Sequence, residues 1–475
     1  MSDLAAWEIA ERVRNKEVSA LEVIDQTLQQ MDGPNAILNA FTVIDRRGAR
    51  RQADAIDAAI ARGEDPGPLA GVPIGVKDLE PAAGLPWTSG SKAFASRVAK
   101  DDSVQVARLR AAGAVIMGKT NTPEFGYKGF TDNLLYGATR NPWDTSKTSG
   151  GSSGGSASAV AGGLVPLCTA SDGGGSIRIP SAFCGVYGIK PNAGRIPRAG
   201  ENAPGWGVLS QVGPISRTVR DAARYLDATA GPHPNDLESL DAPTGGYEEA
   251  VLGGPPRVQR VAWSGDLGYA AVDPDVRRVA AEAARALADA LGAELVEAHP
   301  GFENPIEPWV AIAAPGDTLI VDNVTPEQRK EFEHGFVQFA DLGRTISGLD
   351  IVRAQEVRHQ VNRKMTAFFE QYDLLLTPTT AATAFGIDAG PPTSIDGKEV
   401  GPAGFLPFTY PFNFTGHPAA SVPAGFAPNG LPVGLQIVAP RFAEKPLLAV
   451  SAVYEAARPF RRPPAPRRSP ALAPA

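Results

Sequence analysis

Two glycine-serine loops stand 24 positions apart, counted from Ser152 to Ser176: "GGSSGGSASAV" at 150–160 and "DGGGS" at 172–176. Loops of this kind bring backbone N–H groups and hydroxyls to one point, as acyl transfer requires for a nucleophile and a developing oxyanion. A tether of similar composition keeps its polarity on both sides. Here the stretch between the loops is apolar, and "SIRIPSAFCGVYGIKP" follows the second one. Embedded in core-forming sequence, the loops read as catalytic machinery.

A serine nucleophile needs a base. The five histidines (His233, His299, His334, His359 and His417) are scattered and show no metal-ligand spacing, so no metal or other cofactor is expected. His417 sits before a proline in "FTGHPAAS" and reads as structural. Gly150 to Gly154 fits G-x-S-x-G, but "WDTSKTS" before it is not the strand that a nucleophile elbow requires. Ser89 to Lys92 fits S-x-x-K, yet it lies in a polar loop without companion motifs. A lysine base must be neutral, and at an ordinary pKa only about one in a thousand is neutral near pH 7.4. Lowering that pKa by about 3 means disfavouring the charged form by about 4 kcal/mol, which burial can supply. Lys77 ends the apolar run "GVPIGVKDL", whereas Lys16, Lys92, Lys100 and Lys398 lie in polar surroundings. A lysine at a strand end can also snorkel to solvent; the apolar flanks of Lys77 argue for the buried base.

The elements that must hold these groups follow from periodicity. Ser19 and Glu22 form a capping box before Leu21, Ile24, Leu28 and Met31 at helical spacing. A polar helix is expected over about 46–62 and another over 104–112, stopped by Gly113. "GVPIGVKDL", "AVIMGK", "LVPLCTAS", "DLLLTPT" and "LPVGLQIVA" read as buried strands. "RVAWS", then a helix opened by Asp273-Pro274 and closed by Gly292, then "AELVEA" make a βαβ unit with parallel pairing.

The 475 residues carry a net charge of −7, with 43% hydrophobic and 20% charged residues. That is the balance of a globular chain with a sizeable core, and without a basic stripe it argues against nucleic acid as a partner. No run reaches the length of a membrane-spanning helix, and the acidic N-terminus does not read as a signal peptide. Two cysteines, Cys168 and Cys184, are too few for a secreted disulfide scaffold, so a reducing cytoplasm is expected. The end of the chain, "RRPPAPRRSPALAPA" (461–475), reads as a disordered Pro/Arg-rich tail.

Lys77, "GGSSGGS" and "DGGGSIRIPSAFCGVYGIKP" resemble the amidase signature family of Ser–cis-Ser–Lys amide hydrolases. The spacing of 75 from Lys77 to Ser152 agrees, as do "GKTNTPEF", "NPW" and "NFTGHPAASVPAGF" with "GLPVGLQIVAPRFAEKPLL". The resemblance covers most of the chain and thins between about 225 and 370. It departs at Gly173, where many relatives carry a larger residue. It implies an α/β fold in which a mixed, twisted sheet is sandwiched by helices, as one domain over 1–460. It also implies that Ser176 is the nucleophile, Ser152 the bridging serine and Lys77 the base. The Gly151–Ser152 peptide is then cis. Backbone N–H groups of Gly173, Gly174, Gly175 and Ser176 are expected to converge on the oxyanion. Asp172, Arg178 and Ser153 support them, with Ser149 and Ser156 as loop hydrogen-bonding residues.

The substrate is less constrained. "EFGYKGFTDNLLY" (124–136) follows a strand end and is expected to line the acyl pocket, with Tyr127 foremost and Phe125 and Phe130 beside it. "FLPFTYPFNF" (405–414) adds Phe408, Tyr410 and Phe412, for which a plain core role is an equal reading. The expected ligand is a small apolar or aryl amide, or a carbamate, bound by a monomer or homodimer with neither nucleic acid nor membrane. Three alternatives stand beside it: a urethanase, the glutaminase subunit of a tRNA-dependent amidotransferase, and a non-catalytic binding protein on the same scaffold.

Overall fold

The computed structural model describes residues 4–199, 205–254 and 256–464. Its framework is an 11-stranded sheet of mixed direction covered by helices. Strands β1 (Phe41–Ile44), β2 (Pro73–Lys77), β3 (Val115–Thr120) and β4 (Leu167–Asp172) come first in the chain. They are followed by β5 (Tyr187–Lys190), β6 (Gln211–Ser216), β7 (Arg260–Trp263), β8 (Glu294–Glu297) and β9 (Leu374–Pro378). The two-residue strands β10 (Ser394–Ile395) and β11 (Lys398–Glu399) pair only with each other, and β12 (Ala419–Phe426) and β13 (Pro432–Val438) close the series. Across the large sheet the order is β1-β3-β2-β4-β6-β5-β12-β13-β9-β7-β8.

Apolar runs became strands wherever both faces could be covered. β2, β3, β4, β9 and β13 are buried along their whole length, which is why they read as continuous hydrophobic stretches and not as alternating ones. The βαβ unit is present: β7 and β8 pair in parallel, joined by the helix Pro274–Leu291. Asp273 caps that helix, its carboxylate accepting the N–H groups of Asp275 (2.8 Å) and Val276 (3.3 Å). The Ser19–Glu22 capping box opens the helix Ala20–Leu38, and further helices cover Arg46–Ala61 and Val104–Ala111. Of the expected tail, residues 465–475 lie outside the described residues; Arg461 is placed with its guanidinium 4.9 Å from the centre of the Phe426 ring.

The arrangement that positions the site is local. β2 and β4 are parallel neighbours, with Gly75 opposite Cys168, so both chains leave the sheet at the same edge. Lys77 is the last residue of β2, and Asp172, the last of β4, opens the second glycine loop. The first loop runs into the helix Gly154–Ala161, all eight residues of which are buried. Its glycines are there for space: a Cβ on Gly155 would lie 2.3 Å from the Asn121 nitrogen and 2.6 Å from the Ala40 oxygen, both backbone atoms. Gly155→Ala is therefore expected to destabilise the protein by about 1–3 kcal/mol, through overpacking against backbone that cannot rotate away. Equilibrium urea unfolding measures it.

Candidate active site

Lys77 is fully buried, and its Nζ donates to three hydroxyls: Ser152 Oγ at 2.7 Å, Ser153 Oγ at 2.9 Å and Ser171 Oγ at 2.9 Å. Its backbone N–H is held by Thr169 Oγ at 3.0 Å. Burial lowers the ammonium pKa to about 7, against the opposing pull of Glu80 and Asp172. Near neutral pH a large share of Lys77 is thus an amine able to accept a proton.

The Gly151–Ser152 peptide bond is cis, as the resemblance implies. Ser176 is 7% exposed, the most accessible of the three expected catalytic side chains, with Ser152 at 2%. Its carbonyl accepts the Ser153 N–H at 3.2 Å, which ties the second loop to the first. Among the described residues no hydrogen bond joins the Ser176 and Ser152 hydroxyls. Such contacts are often loose in the absence of substrate.

Asp172 and Arg178 form the frame of the second loop. Both are completely buried and meet in a bidentate pair at 2.8 and 2.9 Å. The Arg178 guanidinium also reaches the Thr409 carbonyl (2.9 Å), Gln436 Oε1 (2.7 Å) and Asn413 Oδ1 (2.6 Å). Burial pushes the Asp172 carboxyl up, but Arg178, with help from Lys190 and Asn413, brings its pKa down to about 2. The ionised carboxylate then accepts the N–H groups of Gly175 (2.7 Å) and Ile177 (3.1 Å).

This corrects one expectation. The Gly175 N–H is committed to Asp172 and does not face an oxyanion; Gly175 serves the turn, at a φ of +131° with Thr409 packed where a Cβ would stand. At Gly173, a Cβ would meet Cε3 of Trp206 at 2.5 Å. The small residue leaves room for an indole. Trp309 lies over Gly174 in the same way, its Nε1–H donating to the Gly173 carbonyl at 2.9 Å, and the two indoles meet edge to face at 5.2 Å. Ser156 joins the helix to β4 through the Thr169 carbonyl (2.8 Å), and Ser149 contacts the Gly150 carbonyl (3.3 Å).

The expected pocket residues divide. Phe125 and Tyr127 are half-buried in a satellite aromatic cluster with Phe94, Phe332 and Phe336, and the Tyr127 hydroxyl donates to Glu333 Oε1 at 3.1 Å. Between them Gly126 presses on the site: a Cβ there would stand 3.1 Å from Ser152 Oγ. Phe130 packs edge-on against Phe385 at 5.6 Å, and its backbone backs Gly151. Phe412 belongs elsewhere. Its side chain is fully buried in the main core, on the inward side of the helix Tyr410–Phe414, and Phe408, which precedes that helix, is buried in the same core. His417 is structural: buried, Nδ1 2.8 Å from Thr415 Oγ, and lowered by burial to a pKa of about 3.

Sequence reasoning missed Thr169, Ser171, Trp206, Trp309, Thr409 and Asn413. For the first two a signal existed, since alternation along β4 puts Thr169 and Ser171 on one face, the face turned toward Lys77. The others come from 30 or more positions away; Thr409 and Asn413 lie in stretches already singled out for their aromatics and their resemblance, but no spacing ties any of the four to the loop. Among the described residues no group of three or more His, Cys, Asp or Glu side chains could hold a metal ion, and no helix is long and apolar enough to cross a membrane.

With this geometry in view, comparison with known proteins gives one answer. The family model described as Amidase matches residues 22–448. The chain belongs to the amidase signature family. It is 41% identical over 463 residues to an acylamidase of Rhodococcus erythropolis, covering 96% of each chain. It is 37% identical to one subunit of the glutamyl-tRNA(Gln) amidotransferase of Synechococcus sp. (strain RCC307), covering 96% of this chain and 97% of that one. Among solved structures, a bacterial aryl acylamidase of the amidase signature family superposes with a TM-score of 0.90 at 33% identity, over 96% of each chain. A 6-aminohexanoate cyclic dimer hydrolase superposes with a TM-score of 0.88 at 31% identity, over 98% of this chain and 99% of that one. The protein is an amide hydrolase with the α/β fold of this family.

Asp172→Asn would leave the Arg178 guanidinium buried without its counter-charge. A loss of about 3–5 kcal/mol is expected, readable as a lowered urea midpoint at an unchanged slope.

Proposed function

We propose that the protein cleaves small apolar or aryl amides through an acyl-enzyme on Ser176. The observation that carries this reading is the buried Lys77 amine 2.7 Å from Ser152 Oγ, with the Ser176 loop tied alongside. In acylation, Lys77 takes the Ser152 proton while Ser152 takes that of Ser176, and Ser176 Oγ bonds to the amide carbonyl carbon. Negative charge gathers on the carbonyl oxygen, where the N–H groups of Gly173, Gly174 and Ser176 are the donors left after Gly175 is spent on Asp172. The proton then returns along the relay to the amine as the C–N bond breaks. Water resolves the ester by the same path. Loss of Ser176 removes the acceptor of the acyl group, so Ser176→Ala is expected to abolish acyl-enzyme formation, checked by mass spectrometry after mixing with a slow ester. Lys77→Ala and Ser152→Ala each impair turnover, and the double variant should be little worse than either, because the two act as one relay.

The pH profile carries the sign of the Lys77 shift. The competent form is the neutral amine, so kcat/KM should rise with pH and reach half its plateau near 7, where Lys77 loses its proton. Glu124 is also raised to about 7, by burial. Glu124→Gln should leave the rising limb in place; if the limb vanishes, it belongs to that carboxyl and not to Lys77.

The substrate class is supported by aromatic surface on two sides: Trp206 and Trp309 over Gly173 and Gly174, and Phe125 and Tyr127 flanking Gly126. An aniline also departs more readily than an alkylamine. We further read the enzyme as cytoplasmic, consistent with two free buried thiols, and as a monomer or homodimer acting without nucleic acid or membrane. Turnover of acetanilide, an aryl carbamate and glutamine by the isolated chain separates the readings. Acetanilide is expected to lead. A leading carbamate would keep the mechanism and make the enzyme a urethanase; glutamine, or activity only with added partner chains, would favour the amidotransferase reading.

A further inference from the structure

Away from Ser152 and Ser176, at the C-terminal end of the helix Tyr410–Phe414, lies a cavity of about 310 Å³. Its walls are Gln355, Arg358, His359 and Asn362 of the helix Gly348–Phe369, together with Phe414 and Arg441. The volume suits a small ligand. Arg358 is anchored, its Nε donating to the Phe414 carbonyl at 2.6 Å and one terminal nitrogen to Gln355 Oε1 at 3.3 Å. The Arg441 guanidinium rests over the Phe442 ring at 4.7 Å. Among the described residues, neither arginine has a carboxylate within 4 Å. Burial and the charge of Arg441 both lower the Arg358 pKa against a weaker pull from Glu238, and Arg441 with Lys190 opposes protonation of His417 nearby. Positive charge therefore accumulates here with little compensation.

We propose that this cavity binds a small oxyanion carrying two negative charges, either a phosphate or a dicarboxylate. Two guanidinium groups lining one cavity match such a ligand, because each offers paired N–H donors in a planar fork. Their mutual repulsion is relieved when a dianion sits between them. His359, Asn362 and Gln355 add hydrogen-bonding side chains around the same space.

The test is calorimetric titration of the full chain with sodium phosphate and, separately, sodium succinate, each against sodium chloride at matched ionic strength. Saturable one-to-one binding of at least one dianion is expected, with a rise in the thermal midpoint beyond that given by chloride. Phosphate alone would identify a tetrahedral-anion site, succinate alone a carboxylate site, and both a general dianion site. Arg441→Gln, at an exposed position, should weaken binding by about tenfold or more while leaving the thermal midpoint in chloride and amide hydrolysis unchanged. Arg358→Lys, which keeps the charge but loses the fork, should weaken binding too. No saturable binding of either dianion above chloride, or unaltered affinity in both variants, overturns the proposal.

Discussion

An amine at the end of a buried strand, surrounded by hydroxyls and not by carboxylates, is the condition on which the proposed mechanism rests. Were a carboxylate in contact with Lys77 Nζ, the ammonium would be stabilised and the proposed base lost. The fold meets the opposite requirement: it removes the side chain from water and offers it Ser152, Ser153 and Ser171. These partners can hydrogen-bond either protonation state. They hold the nitrogen in place without fixing its charge.

Two carboxylates, Glu80 and the buried Asp172, pull against the lowered pKa of Lys77, and Asp172 is kept occupied. Arg178 takes it in a bidentate pair, and Asn413 donates to it from a helix more than 200 positions away. Its remaining acceptor capacity goes to the Gly175 and Ile177 N–H groups. One buried ion pair thus has two effects. It shapes the glycine loop that carries Ser176, and it limits the pull of the carboxylate on Lys77. The same network takes the Gly175 N–H out of the donors available to the proposed oxyanion, because it is donated to Asp172.

Space is the second constraint. The helix Gly154–Ala161 is packed on every side, and its small residues are what allow the first loop to approach β2 and β4 closely. Gly173 and Gly174 make the corresponding concession to Trp206 and Trp309. Small residues near the chemistry and large aromatic ones just outside it are complementary parts of one arrangement.

Much of this was legible in the chain itself. Lys77 stood out by its apolar flanks, Ser152 and Ser176 by glycine loops embedded in core sequence, and the parallel βαβ unit by alternating periodicities. Those features are local, and local sequence sets backbone preference, caps and the chance of burial. Whether Lys77 points inward, and at which hydroxyls, depended on the register of β2 against β4. The two tryptophans, Thr409 and Asn413 reach the loop only because segments distant in sequence fold over it, and no spacing along the chain encodes such a contact. Phe412 shows the converse: an aromatic motif suggests a pocket or a core with equal force, and the direction in which a short helix faces made it core. The sequence determined which chemistry was available; tertiary packing decided which groups were dry, which were paired, and therefore which of them can move a proton.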